Sequence, residues 1–529
     1  GIILVGSIKM PTFRRSFLLL LITLYILLNL VTLTRFPLMH SDESWLSGLS
    51  RHILVTGNYT ETEPFFDLKP RQPHALKIIF HSLQMLVIKL FGYSLFNVRL
   101  LSLVFGIGTL YFFYRLCRLI LPAEKWAFWA CLFMGVDIQF IYASHFGRQE
   151  IILLWVMIFG MYYFFKNLNF HRYLHDLFLG ALAGLGIGIH PNSLIIMLAF
   201  FGIYLTYLLR KKINHQSLLV LGLGFTIPVL FFTFLSFRFD PNFLSNYFAY
   251  GQEQFKILSP FSTRLSRLTI FLKTIYLRQG GTYYLPDLKI QTILLTVIVL
   301  LGLTIGINRG KDRNPVPSWL IASLSAIILG LVIIGRYNTT SIVFVTPLVY
   351  LLVGFSLAKI PAQSGKIIPP LLALAIFTST LLNIYPYLKY DYDSYLGGIT
   401  AAVGPGRKVL ASLNVEYAFE DGKLYDLRNL SYLKRRGLSF AEYIGQNRIE
   451  YLIYPEGLDF IYQTRPKWNG VYGHLPYYLE LKEFIGEKCK LVNSFAAPAY
   501  GIEIPAYVGR KNWRISIYRV SYDSALSNN

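Results

Sequence analysis

Residues 16–45 read SFLLLLITLYILLNLVTLTRFPLMHSDESW, and this stretch decides the fold class. Its first part, Ser16–Thr34, is a nearly unbroken apolar run of the length that a helix needs to cross a bilayer, about 20 residues. Basic residues precede the run, and Arg35-Phe36-Pro37 follows it where a cleaved signal peptide would have small residues. We therefore expect a retained membrane anchor.

Similar runs recur along the chain and predict ten further membrane spans. They are Leu100–Ile120, Trp126–Ser144, Ile151–Phe165, Leu174–His190, Ser193–Leu209, Ser217–Phe237, Ile290–Ile307, Trp319–Gly335, Ser341–Leu357 and Ile367–Tyr387. Ala75–Phe91 is more polar, with apolar residues at helical spacing, and predicts an amphipathic helix in the membrane interface. The expected fold class is an all-α polytopic membrane protein with about eleven transmembrane helices.

Composition supports a membrane protein, because 54% of the 529 residues are hydrophobic and only 15% are charged. Soluble proteins have about 25% charged residues. The net charge of +22 would suggest nucleic-acid binding in a soluble chain. In a membrane protein, an excess of basic residues instead indicates the orientation of the chain in the bilayer, because Lys and Arg collect in cytoplasmic loops.

The positions of the basic residues favour orientation. With eleven spans and a cytoplasmic N-terminus, the inner segments and the adjoining ends of the spans hold sixteen Lys and Arg against three acidic residues. Counting Ala75–Phe91 as a span would move later basic loops, such as Arg210-Lys211-Lys212, to the outer side, against the positive-inside rule. We predict an integral protein of the plasma (inner) membrane. Its expected partner is the lipid bilayer, and we expect it not to bind nucleic acid.

Three predicted outer segments are too long to be turns: Arg35–Arg99, Arg238–Lys289 and Tyr390–Asn529. We predict a transmembrane domain over residues 1–389 and a small extracytoplasmic α/β domain over residues 390–529. In the latter, a helix is expected over Ser439–Asn447. Strands are expected over Lys408–Leu413, Glu450–Tyr454, Ile502–Val508 and Trp513–Val520.

The first outer segment carries the strongest candidate for chemistry, the pair Asp42-Glu43 at the start of a predicted helix just above the bilayer. A helix N-terminus favours ionised carboxylates, so one of the pair is suited to deprotonate a hydroxyl or to bind a cation. The structural alternative is that Ser41 caps the helix while the two acids complement its dipole.

The motifs that follow this pair occur in a characteristic order. They are Arg51-His52-Ile53-Leu54-Val55-Thr56-Gly57, Lys69-Pro70, Leu90-Phe91-Gly92, Arg99, His145-Phe146-Gly147-Arg148-Gln149-Glu150, Gly188-Ile189-His190-Pro191-Asn192 and Gly335-Arg336-Tyr337. The chain in this respect resembles the integral-membrane GT-C glycosyltransferases that use a polyprenyl-phosphate sugar. Within that group it resembles the dolichyl-phosphate-mannose protein mannosyltransferases and the bacterial lipid A aminoarabinose transferases. One departure is Lys69-Pro70-Arg71-Gln72-Pro73, where the second proline is displaced.

The resemblance implies transfer of a sugar from a polyprenyl-phosphate donor to the hydroxyl of a glycan, lipid or protein acceptor on the outer face. Asp42 would be the base, and Glu43 would orient the acceptor or bind a divalent cation, Mg or Mn. A guanidinium can pair two phosphate oxygens, so Arg336 is the first expected phosphate ligand. Tyr337, Arg148 and Lys69 are further expected phosphate ligands. The expected acceptor or sugar contacts are Glu150, His190 and Asp67.

Each assignment has an alternative. Arg336 and Arg99 could extend from helix ends towards water, and Arg148 with Glu150 could be a structural ion pair. The competing function is a transporter or flippase for a lipid-linked sugar. Transporters place ionisable groups and broken helices at mid-membrane depth, whereas the predicted span centres here are nearly free of charge.

Overall fold

The computed structural model describes residues 12–170, 172–278, 281–308, 317–335, 337–361, 363–464 and 477–522, and these are mostly helical. Their helices up to residue 403 are α1 (Thr12–Thr32), α2 (Ser41–Thr56), α3 (Ile78–Phe91), α4 (Leu95–Ile120), α5 (Glu124–Gly135), α6 (Ile138–His145), α7 (Glu150–Asn167), α8 (Tyr173–Leu185), α9 (Ser193–Leu209), α10 (His215–Phe239), α11 (Phe243–Phe255), α12 (Phe261–Leu277), α13 (Lys289–Asn308), α14 (Ser318–Ile334), α15 (Thr346–Leu357), α16 (Ser364–Ile384) and α17 (Tyr392–Val403). The remaining helices are α18 (Leu433–Arg436), α19 (Phe440–Asn447), α20 (Gly457–Thr464) and α21 (Tyr478–Lys488).

Each of the eleven predicted spans coincides with a helix or a pair of helices, but the count of eleven is not confirmed. Within the described ranges, five helical stretches are long and apolar enough to cross a membrane, and a sixth counts if α5 and α6 form one broken span bent by 58°. The five are Leu95–Ile120, Glu150–Asn167, His215–Phe239, Thr339–Leu357 and Ser364–Val403. Other apolar helices, such as α9 and α14, have only 17 residues each.

The helix α3 is amphipathic, with its polar face turned inwards. His81 and Gln84 are buried, and both contact the hydroxyl of Ser50 on α2, at 2.8 and 2.7 Å. Leu86 and Leu90 are exposed on the outer surface. This arrangement fixes α2 against α3 and leaves apolar side chains available to lipid.

The C-terminal region contains a five-stranded mixed sheet of β1 (Val409–Ala411), β2 (Leu424–Asp426), β3 (Tyr451–Pro455), β4 (Cys489–Ala496) and β5 (Arg514–Val520), in the order β2-β1-β3-β5-β4. The strands β2, β1 and β3 are parallel, whereas β5 is antiparallel to β3 and β4. The predicted strand Ile502–Val508 is wrong: a 3-10 turn occupies Pro505–Tyr507, because proline has no N–H to donate to a sheet.

The core beneath this sheet also contains residues of the first outer segment. Met39, Phe65 and Phe66 pack in one cluster with Tyr392, Ile453 and other C-terminal side chains. The predicted domain boundary between residues 389 and 390 stays a prediction. Residues that precede this boundary in sequence complete the hydrophobic core of the C-terminal region.

Candidate active site

The helix α2 begins with a capping box that uses histidine. The Nδ1 atom of His40 accepts the N–H of Asp42 at 3.0 Å, and the carboxylate of Glu43 accepts the N–H of His40 at 3.1 Å. Thus the cap is His40 and not Ser41, which is the first residue of the helix. The capping fixes the first turn, and with it both acidic side chains.

Asp42 lies at the protein surface with 24% of its side chain exposed. Its Oδ2 atom accepts hydrogen bonds from the guanidinium of Arg148 and the hydroxyl of Tyr283, while the ring of Tyr283 stacks on His40 at 4.3 Å. Burial alone would raise the pKa of Asp42, but the charge of Arg148, together with His40 and Tyr283, holds it well below its ordinary value. Asp42 is therefore a carboxylate at neutral pH.

Arg148 bridges two carboxylates. Its Nη2 atom lies 3.1 Å from Oε1 of Glu150, which also accepts the hydroxyl of Thr340 at 2.7 Å. Arg148 is only 5% exposed and Glu150 only 2%. The buried pair of Arg148 and Glu150 thus holds Asp42 from the protein interior. The guanidinium of Arg148 lies between the carboxylates of Glu150 and Asp42.

Glu43, next to Asp42 in sequence, faces the interior. It is fully buried, and Arg99 donates two hydrogen bonds to its two oxygens, at 2.8 and 2.7 Å. The backbone N–H of Gly147 adds a third, at 2.8 Å. Arg99 is also fully buried and does not extend towards water. The pair ties α2 to the start of α4.

These contacts do not fit a divalent cation held by Asp42 and Glu43. Both oxygens of Glu43 are occupied by donors, and the cation beside Asp42 is Arg148. Among the described residues, no group of three or more His, Cys, Asp or Glu is arranged to bind a metal ion.

A second group of charges surrounds the indole of Trp45, one turn along α2 from Asp42. The ammonium of Lys69 lies 4.5 Å from the ring centre, the guanidinium of Arg428 4.8 Å and that of Arg71 5.1 Å. Three cations therefore share one aromatic ring. Arg428 comes from the turn after β2, so the C-terminal region contributes directly to this group.

Two carboxylates offset these three cations. Glu63 accepts two hydrogen bonds from Arg71, at 2.8 and 2.7 Å, and Asp426 accepts two from Arg428, at 2.6 and 3.2 Å. Lys69 is 8% exposed. Its burial, with the charges of Arg428 and Arg71, lowers its pKa to about 7.

Asp67 makes its hydrogen bonds with the C-terminal region. Its carboxylate accepts the hydroxyl of Tyr443 at 2.9 Å and the amide of Asn447 at 3.1 Å, both on α19. Burial raises the pKa of Asp67. Its contacts fasten the first outer segment to the C-terminal region.

The other predicted site residues have contacts of their own. His190 accepts the N–H of Asn192 through Nδ1 at 3.0 Å, and the hydroxyl of Tyr337 donates to the carbonyl of Arg264 at 2.7 Å. Arg336 lies outside the described residues.

A cleft opens beside the start of α2, between the membrane helices and the C-terminal region. Its walls come from the segment before α2, from α6, from the segment before α13 and from two C-terminal loops. They include His40, Ser41, Tyr142, Phe146, Thr282, Asn414, Tyr500 and Glu503.

Sequence reasoning missed Tyr283, Arg428 and His40. Tyr283 had one usable signal, a Tyr-Tyr pair just before an apolar run, because aromatic residues gather at membrane interfaces. Arg428 had none, since it lies 386 positions from Asp42 and no spacing joins them.

Comparisons with known proteins agree with this architecture. Residues 74–236 match the family model of dolichyl-phosphate-mannose-protein mannosyltransferases. The solved structure of ArnT from Cupriavidus metallidurans bound to undecaprenyl phosphate superposes with a TM-score of 0.58 and 12% identity, covering 97% of this chain and 99% of ArnT. The Archaeoglobus fulgidus oligosaccharyltransferase in the apo form superposes with a TM-score of 0.53 and 12% identity, covering 85% of this chain and 71% of that one.

Among curated proteins, none matches the chain by sequence. The family match contains Arg99, Arg148, Glu150 and His190, whereas Asp42 and Lys69 precede it. The chain has the fold of the GT-C membrane glycosyltransferases, and over residues 74–236 it resembles the dolichyl-phosphate-mannose-protein mannosyltransferases.

Proposed function

We propose that the protein is a glycosyltransferase that moves a sugar from a polyprenyl-phosphate donor to an acceptor hydroxyl. One observation carries this proposal: the ionised carboxylate of Asp42 is partly exposed and paired with a buried arginine, and the two residues before it, His40 and Ser41, line a cleft. A fixed base next to an open cleft is what transfer to a hydroxyl requires. That ArnT was solved with undecaprenyl phosphate supports a lipid-phosphate donor.

In this mechanism the acceptor oxygen attacks the anomeric carbon while its proton passes to Asp42. Oδ2 is held by Arg148 and Tyr283, so Oδ1 is the atom that receives the proton. The bond between the anomeric carbon and the phosphate oxygen breaks, and its electron pair stays on the phosphate. A carboxylate of low pKa is a weak base, and it accepts the proton when the attacking oxygen has become acidic in the transition state.

Lys69 is our first choice for the donor phosphate. The group on Trp45 has three cations against two carboxylates, which leaves one positive charge for the single negative charge of a phosphodiester. A fixed cation also stabilises the negative charge that develops on the leaving phosphate. Arg336 and Tyr337 remain proposed phosphate ligands from the family resemblance. Arg148 already pairs with two carboxylates, which favours a role in lowering the pKa of Asp42 over a role in binding the phosphate.

The contacts of Glu43 support a positioning role, because its carboxylate is occupied by Arg99 and Gly147. Those of Asp67 support fastening of the outer segment to α19. Glu150 and His190 remain proposed acceptor contacts. We further propose that the site and the C-terminal region lie on the extracytoplasmic side of the plasma membrane, because the basic residues collect in the opposite loops.

A transporter or flippase is the second candidate, and Asp137 is the observation that favours it. Asp137 lies at the break between α5 and α6, within a predicted span, where its Oδ1 caps α6 and its Oδ2 accepts hydrogen bonds from Tyr350 and Gln291. A buried carboxylate at a broken span is a transporter feature. Capping of α6 also accounts for it.

Mass spectrometry of lipids that co-purify with the protein, followed by an assay with undecaprenyl-phosphate sugars, separates the two candidates. A transferase binds a polyprenyl phosphate and cleaves the bond between sugar and phosphate. Movement of the intact lipid across vesicles without cleavage would support the transporter and overturn the enzyme.

A further inference from the structure

The C-terminal wall of the cleft carries two hydrogen-bond acceptors that the proposed mechanism does not use. They are Glu503 and Asn414, which line the cleft together with His40 and Ser41 from the start of α2. Both come from loops beside the sheet and are more than 370 positions away from Asp42 in sequence.

Asn414 is held in place but lacks a donor for its side-chain oxygen. Its residue is 7% exposed, and its backbone carbonyl accepts the hydroxyl of Tyr392 at 2.6 Å. Its Oδ1 atom is buried and has no hydrogen-bond partner in the part of the chain that the structure describes. Buried polar atoms are nearly always paired, so a ligand with an N–H or O–H group would complete this one.

Glu503 supplies the second acceptor. Its carboxyl accepts the hydroxyl of Ser412 and keeps further acceptor positions free, since a carboxylate offers about four lone-pair sites. Burial raises its pKa to about 7, against the effects of Ser412 and of the nearby charge of Arg428.

The chemistry of this wall selects for hydroxyl or amino groups and against phosphate. Two oxygen acceptors attract hydrogen-bond donors, whereas a phosphate diester offers only further acceptors. The aromatic residues Tyr142, Phe146 and Tyr500 line the same cleft and can pack against the C–H faces of a pyranose or furanose ring.

We propose that Glu503 and Asn414 form a subsite that binds the hydroxyl or amino groups of a sugar ring and thereby sets sugar specificity. This inference rests on the proposed function and adds the part of the substrate that the C-terminal region recognises. The ring belongs either to the lipid donor or to a saccharide acceptor, and binding and transfer measurements distinguish the two sources.

The test uses the full chain in detergent with four variants. Glu503→Gln removes the charge, Asn414→Leu removes the amide oxygen, and Asn414→Asp restores an oxygen acceptor. Glu450→Gln is the matched control, because Glu450 pairs with Arg407 on the same region and is not part of the cleft lining. The probes are undecaprenyl phosphate and undecaprenyl phosphate carrying mannose or 4-amino-4-deoxyarabinose, with affinities measured by thermophoresis.

We expect all variants to bind bare undecaprenyl phosphate as the wild type does. Glu503→Gln and Asn414→Leu should bind the preferred sugar-bearing lipid about fivefold or more weakly, while Asn414→Asp and Glu450→Gln should not. That result assigns the subsite to the donor sugar. The alternative result is that the variants bind and hydrolyse the donor as the wild type does, but transfer sugar to envelope material about fivefold or more slowly. That result assigns the subsite to the acceptor.

Equal affinity and equal transfer in wild type and variants would overturn the subsite and leave the proposed function intact. A wild type that binds neither kind of lipid would overturn the proposed function, and the subsite with it. If Glu503→Gln does not fold, as judged by its melting temperature, the Asn414→Leu and Asn414→Asp pair still decides the outcome.

Discussion

Arg99 and Glu43 form an ion pair with two parallel hydrogen bonds, at 2.8 and 2.7 Å, and neither side chain is exposed. The preceding carboxylate, Asp42, is instead partly exposed. Two acidic residues adjacent on one helix thus occupy opposite environments, because successive helical positions point about 100° apart. Their substitutions should have different consequences.

Glu43→Gln should destabilise the fold. The change removes the charge that compensates Arg99, and breaking a buried ion pair on one side costs about 3–5 kcal/mol. We expect a markedly lower melting temperature in detergent and poor recovery of folded protein. Asp42→Asn is the matched control at the neighbouring position. A Glu43→Gln protein as stable as the wild type would contradict a bracing role for this pair.

Asp42→Asn should leave folding and lipid binding intact and abolish transfer. An amide cannot take the proton of the acceptor, and general base catalysis contributes about 10²- to 10⁴-fold to a rate. The measurements are transfer from undecaprenyl-phosphate sugars, the affinity for undecaprenyl phosphate and the melting temperature. Transfer close to the wild-type rate would remove Asp42 from catalysis.

The predictable part of this molecule was the part encoded locally. Apolar runs located the helices because the ability of a helix to cross a membrane depends on the length and apolarity of one continuous segment. Asp42 could be selected because it lies at the start of a helix directly after such a segment. The alternative in which Arg99 extends towards water is wrong, and the sequence could not show this because its partner, Glu43, lies 56 positions earlier. The strand β4 was missed because it is largely exposed and therefore has little apolar pattern.

The cleft could not be read from the sequence for a related reason. It joins the segment before α2 to loops near residues 414 and 503, and only tertiary packing brings them together. The cap was misassigned to Ser41 because serine is a common capping residue, whereas His40 caps here through its ring nitrogen.

Arg148→Gln should move the acid limb of the pH–rate profile to higher pH. In the wild type, Asp42 stays ionised at all pH values above about 4, since its pKa is held below the ordinary value of a carboxyl. Without Arg148, burial is opposed only by weaker effects, and the pKa of Asp42 should rise above the ordinary value of a carboxyl. Protonation then removes the base at mildly acidic pH.

The measurement is the rate of transfer between pH 4 and 8. Glu150→Gln is the control, because it changes the other partner of Arg148 while keeping the guanidinium. A transfer rate that stays as flat down to pH 4 in Arg148→Gln as in the wild type would contradict the assignment of Arg148 as the group that lowers the pKa of Asp42.

Lys69 should make donor binding weaken as the pH rises through 7. Its pKa is lowered to about 7, and a lysine is charged only below its pKa. Because the charged form pairs with the phosphodiester, the affinity for a sugar-bearing lipid should fall about tenfold per pH unit once Lys69 deprotonates. Lys69→Arg should bind with little pH dependence, since arginine stays charged.

Dissociation constants between pH 6 and 9 test this prediction, with Lys89→Gln, an exposed lysine of α3, as the control. An identical pH dependence in the wild type and in Lys69→Arg would exclude Lys69 as the phosphate ligand. Bare undecaprenyl phosphate is unsuitable here, because a phosphate monoester itself titrates near pH 6.

The helix α2 is also fastened to the C-terminal region along one face. The hydroxyl of Ser44 donates to the carbonyl of Leu413 at 2.8 Å, and Arg51, two turns further along, pairs with the buried carboxyl of Glu416. Residues seven apart lie on the same side of a helix, so these contacts set the rotation of α2 about its axis. That rotation determines where Asp42 points.

Glu416→Gln should therefore lower kcat while leaving donor affinity unchanged. The loss of the carboxyl weakens the contact with Arg51 at one end of α2, whereas Lys69, our proposed ligand of the donor phosphate, is not contacted by Glu416 in the described structure. We expect a several-fold lower kcat, because small misplacements of a reacting group are costly. Glu450→Gln, which changes a partly exposed carboxylate of the same region, is the control. A lower melting temperature with unchanged kcat would reduce Glu416 to a purely structural contact.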